Sequence, residues 1–177
     1  MTAPAVVPDA ALDAPLSRAH RLTFFVPGTP ITQGSMVIRR GRVAHDKARQ
    51  LKAWRETIGL VARMAGRGVL PRGPIPAGTP IAIGLIFVIA RPAGHFSGAK
   101  APKRHDGLRP CWAGLQLHPN RPDLDKLVRS VGDGLEQAGI IAGDGQIAEF
   151  LSPFGKWFAD PASPYGNAAG VHVRLEW

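Results

Sequence analysis

Ile81-Ala82-Ile83-Gly84-Leu85-Ile86-Phe87-Val88-Ile89-Ala90 carries no charged or hydrogen-bonding side chain. The run is too short to cross a bilayer and β-branched enough to be a strand buried on both faces, which puts it at the middle of a sheet. Working back from it, Gly66 to Pro80 is a Pro/Gly connection, and before that Leu51, Trp54, Ile58, Val61, Ala62 and Ala65 recur at helical spacing. They predict a helix from about Lys47 to Ala65, opened by Asp46 as N-cap, with Arg49, Lys52, Arg55 and Arg63 outside its apolar stripe. Trp54 reads as a core anchor rather than a base-stacking platform. Further back, Met36-Val37-Ile38 and Arg42-Val43-Ala44 suit a hairpin around Arg39, Arg40 and Gly41. Leu22, Phe24 and Val26 alternate with Thr23 and Phe25 in a first strand that Pro27-Gly28-Thr29-Pro30 ends.

Working forward, Arg91 to Asn120 shows little periodicity and reads as a long functional loop. Leu124, Leu127, Val128, Val131, Leu135 and Ala138 then recur at helical spacing, with Asp123 placed to cap and Gly139 to stop a helix over 124–138. Gln146 to Ala159 reads as a strand. Val171, Val173, Leu175 and Trp177 alternate with His172, Arg174 and Glu176 in a last strand with one wet face. The expected fold is α+β: a mixed or mostly antiparallel sheet of four to six strands with two main helices packed on one face. Residues 1–20, rich in Ala and Pro and without a basic leader or continuous apolar core, read as a flexible tail rather than a signal peptide, and residues 21–177 as one domain.

Charge narrows the function. With 22 Lys+Arg against 13 Asp+Glu the chain carries a formal charge of +9, so the expected partner is a polyanion. Neither an apolar run of 18 residues nor a basic amphipathic helix with a large aromatic face supports a membrane. Cys111 stands alone, which fits a reducing, cytoplasmic setting, and nothing near it in sequence marks it as a nucleophile. No internal repeat, Gly-rich phosphate loop, zinc spacing or nucleophile elbow is present, so no nucleotide cofactor is expected.

Against that basic background, Arg121-Pro122-Asp123-Leu124-Asp125-Lys126-Leu127-Val128-Arg129 gathers two acids at a helix start, and Asp144 follows beyond the helix end. The climb from Asp125 to Ala138 is about 20 Å, and the steps from Ala138 to Asp144 span at most about 20–22 Å. Asp144 can therefore return to Asp125 only if the chain runs back nearly straight, with Ile140-Ile141 as a strand. Arg129 and Asp133 share the helical face of Asp125. Crowded carboxylates repel one another unless a cation joins them. Phosphodiester hydrolysis needs phosphate charge neutralised, a hydroxide generated near neutral pH and the leaving oxygen steadied, and carboxylate-held Mg²⁺ can supply all three. Taken singly, Asp123 and Asp125 also suit helix capping, and Asp144, between Gly143 and Gly145, a turn.

The run Arg121 to Arg129, the helix with Asp133-Gly134-Leu135, and Gly139-Ile-Ile-Ala-Gly-Asp144-Gly-Gln146-Ile147 together resemble the core signature of RusA-type Holliday-junction resolvases. The resemblance implies a Mg²⁺ site on Asp123, Asp125 and Asp144, with Arg129 beside it as a catalytic cation. It also implies a homodimer cutting four-way DNA junctions by paired symmetric nicks, in a bacterial or phage setting. Two positions depart from the pattern: Arg129 stands where many members have Lys, and Gly143 where many have a second Asp. Alternatives are a nuclease of the same fold acting on flaps or forks, and an inactive branched-DNA binder. DNA contacts are expected from Arg39, Arg40 and Arg42 at the hairpin tip, from Lys100, Lys103 and Arg104 in the long loop, and from Lys126 and Arg129. His118 lies close to the acids, but Mg²⁺ prefers oxygen, and Lys156 is expected to face solvent.

Overall fold

In chain order the elements are β1 (Arg21–Pro27), β2 (Met36–Arg39), β3 (Arg42–His45), α1 (Ala48–Ala65), β4 (Ile81–Ile89), α2 (Leu124–Gln137), β5 (Ile147–Phe150), β6 (Gly155–Phe158) and β7 (Gly170–Glu176), with short 3₁₀ turns between. The computed structural model describes residues 18–33, 36–39, 42–45, 47–97 and 107–177, and of 36–39 and 42–45 the main chain alone.

Among the described residues, five strands form one mixed sheet around β4. β7 runs antiparallel along one side of β4, and β1 antiparallel along β7. The other side of β4 is shared by two strands, both parallel to it, with β5 on its first half and β6 on its second. Sequence alone reads 146–159 as one strand, but Pro153 has no N–H to give a ladder, and the chain leaves the sheet there before rejoining at Gly155. The hairpin expected over 36–45 is present as the antiparallel pair β2–β3, with Arg39 opposite Arg42. Asp46, expected to cap α1, lies outside the described residues.

The uninterrupted apolar run of β4 has its reason in what covers it. Ile83, Leu85 and Phe87 point to the helices, sharing a core with Leu22, Phe24 and Val26 of β1 and Val171, Val173 and Leu175 of β7. Ile86 and Val88 point the other way, against Ala159, Trp157 and Tyr165. A fully buried Phe or Ile contributes about 1.5–3 kcal/mol by leaving water, so a strand covered on both sides gains at nearly every position. β7 is less wet than its alternation suggests. Glu176 is buried beneath Arg21 and Arg174, whose guanidinium nitrogens approach to 2.7 and 2.6 Å. The pairing also continues past β1, where His20 and Trp177 exchange both backbone hydrogen bonds.

Both helices lie on one face of the sheet, with Leu51, Trp54, Ile58 and Ala62 of α1 meeting Leu127, Val131 and Leu135 of α2. Glycine lets them approach: a Cβ at Gly59 would stand 2.6 Å from that of Ala138, and one at Gly134 would stand 3.3 Å from Ile58. Two arginines outside the apolar stripe tie the pair together, since Arg55 pairs with Asp133 and Arg63 donates to the Ala138 carbonyl at 3.1 Å. α2 stops where the sequence predicts. Gly139 takes φ +66°, its N–H bonds the Glu136 carbonyl, and that of Ile140 bonds the Leu135 carbonyl. Ile140 and Ile141 are buried but make only a bridge, Ile141 to Ile75, rather than the expected strand. No helix of the described residues is long and apolar enough to cross a membrane.

Candidate functional site

An open concavity of about 480 Å³ runs along the exposed side of α2, between Leu124, Asp125, Val128, Arg129 and Gly132 on the helix and Asp144, Ile147, Phe150 and Phe154 on the returning chain. Asp125, Arg129 and Gly132 fall four and seven residues apart and so share a face. The charged side chains of the concavity, Asp125, Arg129 and Asp144, are all exposed. Asp144 meets the helix at Gly132, where an added Cβ would lie 3.8 Å from its own. Gly132 is about 10 Å of helix rise beyond Asp125. The expected straight return is therefore incomplete: Asp144 comes back to the middle of α2, and the concavity spans the rest.

The turn bearing Asp144 is held by a residue that sequence reading used only as a landmark. Gln146 Oε1 accepts the N–H groups of Ala142 (2.7 Å) and Gly143 (3.2 Å), while its Nε2 donates to the carbonyls of Pro76 (2.8 Å) and Thr79 (3.1 Å). One amide thus locks the loop before Asp144 to the connection before β4. The Asp144 N–H donates to Glu136 Oε2 at 3.3 Å. A side-chain amide with two donors and one strong acceptor is suited to bridging two backbone segments, which is the signal that could have singled it out.

Asp123 stands at the N-cap without using its carboxylate to cap. That carboxylate accepts from Lys126 Nζ at 2.8 Å, and this bond and charge, with help from Arg121 and Lys156, hold its pKa below the ordinary value. It does not line the concavity, and Lys126, expected on DNA, is engaged with it. Asp133, two turns further along α2, does not line the concavity. It is half-buried against Arg55, and burial raises its pKa, with Asp144 and Glu136 adding to the effect and Arg55 and Arg129 opposing it.

Lys156 does not face solvent as expected. Its ammonium donates to the carbonyls of Asn120 (2.6 Å) and Pro122 (2.8 Å), tying β6 to the segment that enters α2. His118 is buried against Phe158, with Nδ1 3.1 Å from the Asn120 carbonyl, and burial and the nearby Lys156 lower its pKa. It serves the core. The long loop has a built base: Ser97 N–H bonds the Gly107 carbonyl at 2.7 Å, and Arg109 N–H bonds the His95 carbonyl at 2.9 Å. Lys100, Lys103, Arg104 and Arg40 lie outside the described residues, and Arg39 and Arg42 are fixed in main chain only.

Neither a family model nor a curated protein matches the chain. Among the described residues no three acidic, imidazole or thiol side chains stand together closely enough to form a ready metal site. What the concavity offers is two exposed carboxylates on opposite walls, both oxygen donors, with a guanidinium between them along the helix. That set fits a hard cation that keeps several of its waters.

Proposed function

We propose that the chain is a Mg²⁺-dependent endodeoxyribonuclease that resolves four-way DNA junctions, acting as a homodimer whose two sites cut two equivalent strands. The observation that carries this reading is that Asp125, Arg129 and Asp144 share one concavity in a chain of net charge +9. Asp125 and Asp144 would hold the ion, and Asp123 would join once released from Lys126. A bound Mg²⁺ would neutralise phosphate charge and make a water more acidic. Arg129, fixed in its charge, would steady the scissile phosphate by a forked pair of hydrogen bonds. Gln146 keeps Asp144 on the wall, and Lys156 keeps the entry to α2 in place.

A second reading, a branched-DNA-binding protein without catalysis, draws on the pairing of Asp123 with Lys126, which engages one of the three expected acids. The two separate when a fixed, labelled four-way junction is incubated with and without Mg²⁺, beside linear duplex and flap controls, with wild type and Asp144→Asn. Paired symmetric nicks that need Mg²⁺ and disappear in the variant support the resolvase. Nicking of flaps alone moves the substrate, and binding without nicking in wild type supports the binder.

A further inference from the structure

The concavity holds more than its charges. Phe150 is 55% exposed, and its ring lies 4.8 Å from that of Phe154 at 51°, so the two make a corner, with Leu124, Val128 and Ile147 around it. An exposed aromatic side chain on the wall opposite Arg129 has nothing to gain from water.

We propose that this corner seats an unstacked nucleobase, and that the seat is what makes the site select branched DNA over duplex. The inference rests on the nuclease reading of the neighbouring acids. A nucleotide whose phosphate meets Arg129 carries a flat ring with two apolar faces and a polar edge, and Phe150 offers that ring a stacking partner within the same concavity. In an intact duplex both faces of every base are already covered. At a branch point a base leaves its stack at lower cost, so the seat fills more readily there. Aromatic stacking reads no particular base, so the expected selectivity is for structure rather than sequence. Arg129 in the same concavity argues for this occupant, since its guanidinium offers a phosphate-bearing ligand the opposite charge.

The test uses a four-way junction carrying 2-aminopurine at one branch-point nucleotide at a time, bound by the full chain with Ca²⁺ in place of Mg²⁺ so that binding is read without cutting. 2-Aminopurine is dark within a base stack and bright outside it. Wild type is expected to brighten at least one position, because the phenyl ring of Phe150 quenches far less than stacked bases do. Phe150→Ala is expected to abolish that brightening, with duplex affinity unchanged. Phe150→Tyr, whose phenol quenches the probe, is read by nicking and is expected to keep the wild-type rate. A wild type that brightens no position would overturn the seat. With Mg²⁺, Phe150→Ala is expected to nick on the order of ten-fold more slowly, the loss of one stacking partner. Brightening and nicking at wild-type levels in Phe150→Ala would overturn the seat. So would a Phe150→Ala protein that sediments as monomer where wild type is a dimer while still brightening the probe, because the corner would then belong to a second copy. Should Asp144→Asn nick as well as wild type, the nuclease site is misplaced, whereas the brightening measured with Ca²⁺ still decides the seat.

Discussion

Asp125 and Asp133 sit two turns apart on one face of α2 and meet opposite fates. Asp133 faces α1, is half-buried and pairs with Arg55, while Asp125 opens onto a concavity with Asp144 across from it. The contrast separates an acid spent on holding the fold from one left free for a ligand. Residue type and helical spacing are the same for both. The neighbours decide: α1 brings Arg55 to Asp133, whereas the returning chain places Asp144 on the concavity that Asp125 lines.

The comparison breaks most visibly in activity. If Asp125 is a metal ligand and Asp133 a structural one, Asp125→Asn should lower nicking of a four-way junction by on the order of 10²–10³-fold while leaving the melting temperature within a degree or two, since an exposed carboxylate contributes little to folding. Junction nicking and calorimetry on the same preparation check both halves. Gln146→Ala should fall between the two behaviours. It releases the Asp144 turn and leaves the carbonyls of Pro76 and Thr79 without a donor, so nicking is expected to drop on the order of ten-fold and stability by about 1–3 kcal/mol.

On the structural side, Arg55→Ala strips a half-buried carboxylate of its partner and should cost roughly 2–3 kcal/mol in denaturant unfolding, with nicking by the folded fraction unchanged. Asp133→Asn should cost far less. Burial already outweighs the attraction of Arg55 at this carboxyl, and the amide keeps a hydrogen bond without the charge. Equal losses from the two substitutions would mean that the pair is net stabilising.

The last contrast concerns Glu176, a buried acid on β7. Burial pushes its pKa up, but hydrogen bonds from Arg174 and Arg21 outweigh burial and leave it lowered. A lowered folded value means that the unfolded chain binds the proton first, so the contribution is fully present above the unfolded value and is lost as pH falls through the folded one. Glu176→Gln should therefore cost about 1–2 kcal/mol at neutral pH and flatten the acid side of the stability profile.

Much of this fold is legible before any coordinates. The apolar run of β4 declares its central place, the stripe of α1 its buried side, and Gly139 the end of α2. Each rests on local chemistry. What stays hidden depends on distant neighbours: Arg55 looks like surface until α2 packs against it, Lys156 until the chain before Asp123 passes beneath it, and 146–159 looks continuous because a proline lowers a strand's odds without saying where the chain goes instead. The site divides the same way. Spacing brings Asp125 and Arg129 to one face and allows Asp144 to return, but the point of return is set by the lock of Gln146 on Pro76 and Thr79, some seventy residues away in sequence.

The central claim is that Asp125 and Asp144 share a hard cation across the concavity. Mn²⁺, followed by its paramagnetic resonance signal with and without a four-way junction, tests this directly in wild type, Asp125→Asn, Asp144→Asn and Asp133→Asn. The account predicts binding by wild type that either of the first two substitutions weakens by at least about ten-fold and that Asp133→Asn leaves alone. Equal binding by all four proteins, or none by wild type even with the junction present, would contradict it.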